Sequence, residues 1–179
     1  NTYSRDVTQG AVAWDVAIGH AENIASSATF TVTVDVTQTA GVTMYAVALE
    51  FSGVATSAAL DKTNSTLAGG ASGTMLSGAS GALALADEVI LVVCAANTGS
   101  GSTTIAAEAG YTEVAEELDD NFNQAGEADY KIVSSTASEE CTWTITPDIG
   151  ANAPAAIATL KGVAAATVRR YTMPLLGVG

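Results

Sequence analysis

The chain has 179 residues, enough for one domain with a full-sized core, and 48% of it is apolar, mostly Ala and Val. Charged residues make up only 14%, and a chain this apolar and this poor in charge is not intrinsically disordered. Nineteen acids against six Lys and Arg give a formal charge of −13. Such a surface repels phosphate backbones and anionic lipid, so neither nucleic acid nor membrane is expected as a partner.

Read in chain order, the sequence begins with Asn1-Thr2-Tyr3-Ser4-Arg5, a polar start with neither Met nor a secretory signal. It is therefore expected to start inside a longer protein. A strand is expected at residues 12–18. Residues 28–36 alternate strictly, with Phe30, Val32, Val34 and Val36 on one face and Thr29, Thr31, Thr33 and Asp35 on the other. Period two is the pattern of a half-buried antiparallel strand. Residues 42–51 are more continuously apolar, as a central strand would be. Residues 56–80 read as a long Ala/Gly/Ser/Thr connector between sheets, holding one short strand at 74–76. The run 89–96 is the longest apolar stretch; a helix needs about 20 such residues to cross a bilayer, so it is read as a buried strand. Short strands follow at 103–107 and 130–133. Between these two, residues 111–121 are expected to form a strand that leads into an acidic loop. Cys141-Thr142-Trp143-Thr144-Ile145-Thr146 alternates until Pro147 stops it, and further strands are expected at 155–160 and 167–172. Many short strands with Gly-, Ser-, Asn- and Asp-rich breaks predict an all-β, antiparallel two-sheet sandwich, jelly-roll-like.

Sites of chemistry are scarce. His20 is the single histidine, and Asp15 is the nearest acid on the same expected strand. No Gly-x-Ser-x-Gly elbow accompanies it, and Gly69-Gly70-Ala71-Ser72-Gly73 has a linker's composition. His20 is read as a surface or loop-edge residue, and no enzyme is expected. Cys94 and Cys141 are read as two buried thiols, with a disulfide as the alternative. The acidic stretch from Glu113 to Asp129 is read as a solvated loop. Within it Asp119, Asn121 and Asn123 alternate as oxygen ligands do in calcium loops, which makes calcium the one candidate cofactor. Gln124 stands where such a loop needs Gly, so this is no EF-hand. Asn64-Ser65-Thr66 matches a glycosylation sequon. Trp14, Tyr45, Tyr111 and Phe122 are the aromatics that could contact a glycan.

Several segments, in order, resemble a β-sandwich domain recurrent in phage virion proteins (tail fibres, head decorations) and large bacterial surface proteins. They are Asn1-Thr2-Tyr3; Ala28-Thr29-Phe30-Thr31-Val32-Thr33-Val34; Ala48-Leu49-Glu50-Phe51-Ser52-Gly53-Val54 with Ser57-Ala58-Ala59-Leu60-Asp61; Ala86-Asp87-Glu88-Val89-Ile90-Leu91; Gly110-Tyr111-Thr112-Glu113-Val114; Tyr130-Lys131-Ile132-Val133; and Cys141-Thr142-Trp143-Thr144. The resemblance implies a concanavalin-like or jelly-roll sandwich over residues 1–163 with no shared catalytic residues. It also implies a place in a virion or on a cell surface, where the chain contacts copies of itself and other assembly proteins. Such domains carry more strands before the Asn-Thr-Tyr turn. Those strands are expected either from preceding residues or from a neighbouring subunit that completes the sheet. Residues 164–179 form an extension in which Arg169, Arg170, Tyr171, Met173, Leu175 and Leu176 set two cations beside apolar residues. It is read as an assembly arm that docks on an acidic copy of the chain, with a final strand of the same sandwich as the alternative. A non-enzymatic virion subunit is the function expected; a carbohydrate-binding module and a filament subunit joined by strand donation are the alternatives.

Overall fold

The structure is a computed structural model, and it describes residues 2–10, 14–24, 31–34, 44–68, 72–97, 104–119, 124–149 and 153–171. These form eleven strands: β1 (Ser4–Gly10), β2 (Asp15–His20), β3 (Ala48–Val54), β4 (Leu60–Ala68), β5 (Ser72–Leu76), β6 (Asp87–Asn97), β7 (Thr104–Ala107), β8 (Thr112–Asp119), β9 (Gln124–Ser134), β10 (Thr142–Ile149) and β11 (Ala153–Tyr171). All pairings between them are antiparallel, so the chain is the all-β sandwich its alternation predicts.

One large sheet runs β3-β11-β6-β9-β8, with β4 also on β11, and a smaller sheet runs β5-β10-β7. The main core fills the space between them. On the large sheet, Ile90, Val92 and Cys94 of β6 and Ala155 and Ile157 of β11 face Met75, Ile105, Trp143 and Ile145 of the smaller sheet. Trp143 is fully buried, the largest side chain in the gap between two β layers.

The opposite face of the large sheet is covered by the β1–β2 hairpin, whose Val16 and Ile18 bury Ala156 and Ala158 beside Val7, Leu91 and Val93. Gly19 permits the hairpin: a Cβ there would lie 2.6 Å from the Ser4 carbonyl oxygen. Beside the hairpin, Phe51 of β3 reaches over the same face and meets Tyr130 of β9 edge-on, ring centroids 5.8 Å apart.

Six expectations are corrected. Pro147 does not stop its strand: β10 runs on to Ile149, with a register shift against β5 between Thr144 and Ile149 where a proline is tolerated. Residues 44–47 of the strand expected at 42–51 lie outside any strand, and β3 spans Ala48–Val54. The connector at 56–80 contains β4, a nine-residue strand, as well as β5. Residues 31–34, within the expected strand 28–36, lie outside any strand, and the rest of that segment falls outside the described residues. Strand β9 starts at Gln124, six residues before the expected 130. The strands expected at 155–160 and 167–172 are one strand, β11, which runs to Tyr171. Cys94 and Cys141 are free and buried.

Strand β11 changes partners along its length. Ala153 to Lys161 lie between β4 on one edge and β6 on the other. The Lys161 N–H donates to the Ala59 carbonyl, and the Lys161 carbonyl accepts from the Ala55 N–H, both at 2.8 Å. These bonds place β3 and β4 end to end on the same edge of β11, on either side of the bend at 55–59. Past Gly162 a register shift separates Gly162↔Val54 from Thr167↔Ser52. The extra residues form a bulge that redirects the strand. Gly162 itself fits because a Cβ would lie 2.6 Å from the Asp87 carbonyl oxygen.

Candidate functional site

The residues read as calcium ligands lie between β8 and β9 in the sequence or at the end of β8. Asp119 ends β8 and pairs with Gln124, while Asn121 and Asn123 lie outside the described residues. Among the described residues no group of three His, Cys, Asp or Glu is placed to hold a metal. The aromatic residues proposed for glycan contact are spread out. Trp14 immediately precedes β2, on the hairpin that covers the outer face of the large sheet, and Tyr111 packs against the core on the inner face. Tyr45 is exposed ahead of β3, and Phe122 lies outside the described residues. The backbones of Arg169, Arg170 and Tyr171 pair in register with Glu50, Leu49 and Ala48; Met173, Leu175 and Leu176 lie outside the described residues.

The acidic stretch is not one solvated loop. The early start of β9 carries Glu127 and Asp129 into the interior, 4% and 2% exposed. Both point inward because they lie two apart on one strand, opposite Cys94 and Val92 of β6. The Trp143 indole N–H donates to Asp129 Oδ2 at 2.9 Å, and the Ala107 N–H donates to Glu127 Oε1 at 3.4 Å. Two carboxylates this close and this dry cannot both ionise. Burial, then the neighbouring Asp129, pushes the Glu127 carboxyl up to about 8. Burial likewise raises Asp129, against the opposing hydrogen bonds from Trp143 and Glu127. Near neutral pH Glu127 therefore keeps its proton. Burial also pushes the Cys94 and Cys141 thiols up, which keeps them protonated and unreactive. At the edge of the cluster Lys131 binds Glu139 at 2.7 Å and sits 5.3 Å above the Tyr111 ring.

A second acid pair closes the start of β6. Glu88 is 1% exposed; it accepts from the Leu85 N–H at 3.1 Å. Its pKa is raised by burial and by its neighbour Asp61. Asp61 in turn accepts from the Ala84 N–H at 2.8 Å.

His20 lies in a shallow surface groove of about 440 Å³ lined by Thr2, Ser4, His20, Ala21, Glu22 and Ala58. Its acid partner is Asp6 of β1, not Asp15: Nδ1 lies 2.8 Å from the Asp6 carboxylate and Nε2 lies 3.3 Å from Glu22. Glu22 also accepts from the successive N–H groups of Ala58 and Ala59, and Ala58 holds a left-handed φ of 49° there. The group thus ties the hairpin to the bend between β3 and β4. Burial lowers the His20 pKa, but the hydrogen bonds and charges of Asp6 and Glu22 outweigh it and the net shift is upward. With an acceptor at each ring nitrogen, the arrangement favours imidazolium and leaves no ring nitrogen to act as a general base. Sequence order hid this constellation because Asp6 and His20 meet only across the hairpin.

The remaining candidate is backbone. Among the described residues, strand β8 ends the large sheet. Beyond Gly162, β11 pairs with β3 on one edge only, among the described residues. An unpaired strand edge is a template for another chain. No family model matches this sequence, and neither a curated protein nor a solved structure matches it.

Proposed function

We propose that this chain is a non-enzymatic structural subunit of a multi-subunit particle, a capsid decoration or tail-fibre protein of a phage, joined to its neighbours through strand edges. The observation that supports the reading is the second half of β11. It continues past the end of its pairing with β6 at Lys161 and, among the described residues, carries a one-sided ladder from Thr167 to Tyr171. A two-stranded ribbon is marginal by itself, and adding a strand satisfies its open backbone groups. The particle type comes from the likeness to virion sandwich domains.

Native mass spectrometry and light scattering over a range of concentrations test the proposal. The full chain is expected to form oligomers, and a chain lacking residues 166–179 smaller ones, with circular dichroism confirming that the sandwich persists. A full chain that stays monomeric throughout overturns the reading. A monomer that captures specific glycans would favour a carbohydrate-binding module in its place.

A further inference from the structure

We propose that the partner of the open β11 edge is β8 of a second copy, added antiparallel so that the large sheet continues from one subunit into the next. This rests on the assembly reading above and specifies its interface. After the bulge between Glu113 and Ala115, β8 is regular from Ala115 to Asp119. After its own bulge, β11 is regular from Thr167 to Tyr171. Each edge therefore offers five consecutive residues. Aligned antiparallel, Glu116 falls opposite Arg170, Glu117 opposite Arg169, Leu118 opposite Val168, Ala115 opposite Tyr171 and Asp119 opposite Thr167. Directly opposed positions are the ones that interact across a sheet, and opposite charges and apolar pairs there are favourable. The in-register parallel alignment sets Glu116 against Val168 and Leu118 against Arg170 and loses most of this match.

The same edges reject pairing with themselves. A β8–β8 contact gathers acids on acids, and a β11–β11 contact gathers Arg169 and Arg170 on their copies; like charges across a sheet are destabilising. The interface is therefore heterologous, one β8 edge and one β11 edge per subunit, and it builds a ring or a filament according to whether the rotation closes.

Two charge-reversed chains test this. R169E/R170E has two acidic edges, and E116R/E117R has two basic ones. Each alone is expected to be monomeric by native mass spectrometry, with self-association weakened at least about tenfold, whereas an equimolar mixture assembles with the two chains alternating. The chain carrying all four changes should assemble by itself, which guards against loss of folding in either variant. If both reversed variants assemble as the unmodified chain does, or if the folded variants do not co-assemble, this interface is overturned while assembly by another surface stands. If the unmodified chain is monomeric, the assembly reading fails with it.

Discussion

Glu127 shows how one buried carboxyl sets the pH dependence of the whole fold. Its pKa is raised to about 8 by burial and by Asp129, whereas in the unfolded chain it is that of an ordinary Glu, roughly 4.3. Between those values the folded state holds a proton that the unfolded state has lost, so stability falls as pH rises. The contribution is complete below the unfolded value and gone above the folded one. Thermal melts at pH 5 and pH 8 are expected to show a less stable chain at pH 8. In Glu127→Gln the amide replaces the protonated carboxyl as a donor to Asp129. That variant should match the original chain at pH 5 and exceed it at pH 8, by on the order of 3 kcal/mol. Equal pH slopes in both chains would rule out a raised pKa at Glu127. His20 gives a second check of the same sign. Its folded pKa is raised by Asp6 and Glu22, so its stabilisation is full below the unfolded value near about 6.5 and is lost as pH rises through the folded one. His20→Ala is therefore expected to destabilise at pH 5.5 and to have a much smaller effect at pH 9, read by urea unfolding.

At the level of elements, the junctions are more sensitive than the strands. In β11 the step from the sandwich to the β3 ribbon passes Gly162, where a Cβ would lie 2.6 Å from the Asp87 carbonyl oxygen. The obstacle is backbone, so a side chain cannot move aside. Gly162→Ala is expected to cost about 1–3 kcal/mol by chemical denaturation, while Val163→Ala, one residue on and 71% exposed, should be close to neutral. The sequence shows the strands whose burial follows its own pattern. Continuous apolar residues mark β6, and strict alternation marks the start of β10. It conceals β4, whose Asp61-Lys62-Thr63-Asn64-Ser65 is polar because, among the described residues, the strand pairs with β11 alone and needs little apolar surface. It conceals the first half of β9 for a different reason. There the period-two positions that should be hydrophobic are Glu127 and Asp129, so the pattern reads as a charged loop. The chemistry that makes the site, two acids placed where hydrophobes belong, is what masks the strand. Asp6 and His20 are hidden by distance along the chain, since only the β1–β2 register brings them together.

On the scale of the molecule, two electrostatic effects push stability the same way with pH, and salt separates them. The exposed acids of a −13 chain repel one another, and the repulsion grows as they ionise. The upward pKa shifts of Glu127, Asp129 and Glu88 have burial as their first cause. Both effects favour acid. The first acts through solvent over distances that ions screen, with a Debye length of about 10 Å at 0.1 M and 3 Å at 1 M. The second acts between groups at the centre of the sandwich, where mobile ions do not enter. Raising NaCl from 0.05 to 1 M (chosen to span about 14 to 3 Å of screening) should therefore flatten the pH dependence of the melting temperature only in part. The slope that survives in high salt belongs to the buried carboxyls, and Glu127→Gln should remove most of it. A slope abolished by salt alone would show that the interior acids ionise freely. A slope untouched by salt would show that surface repulsion contributes little. The same salt series bears on assembly with the opposite sign. Ions that relieve repulsion within one subunit also screen Glu116 and Glu117 from Arg170 and Arg169 of the next, so high salt should stabilise the subunit while loosening its contacts with other copies.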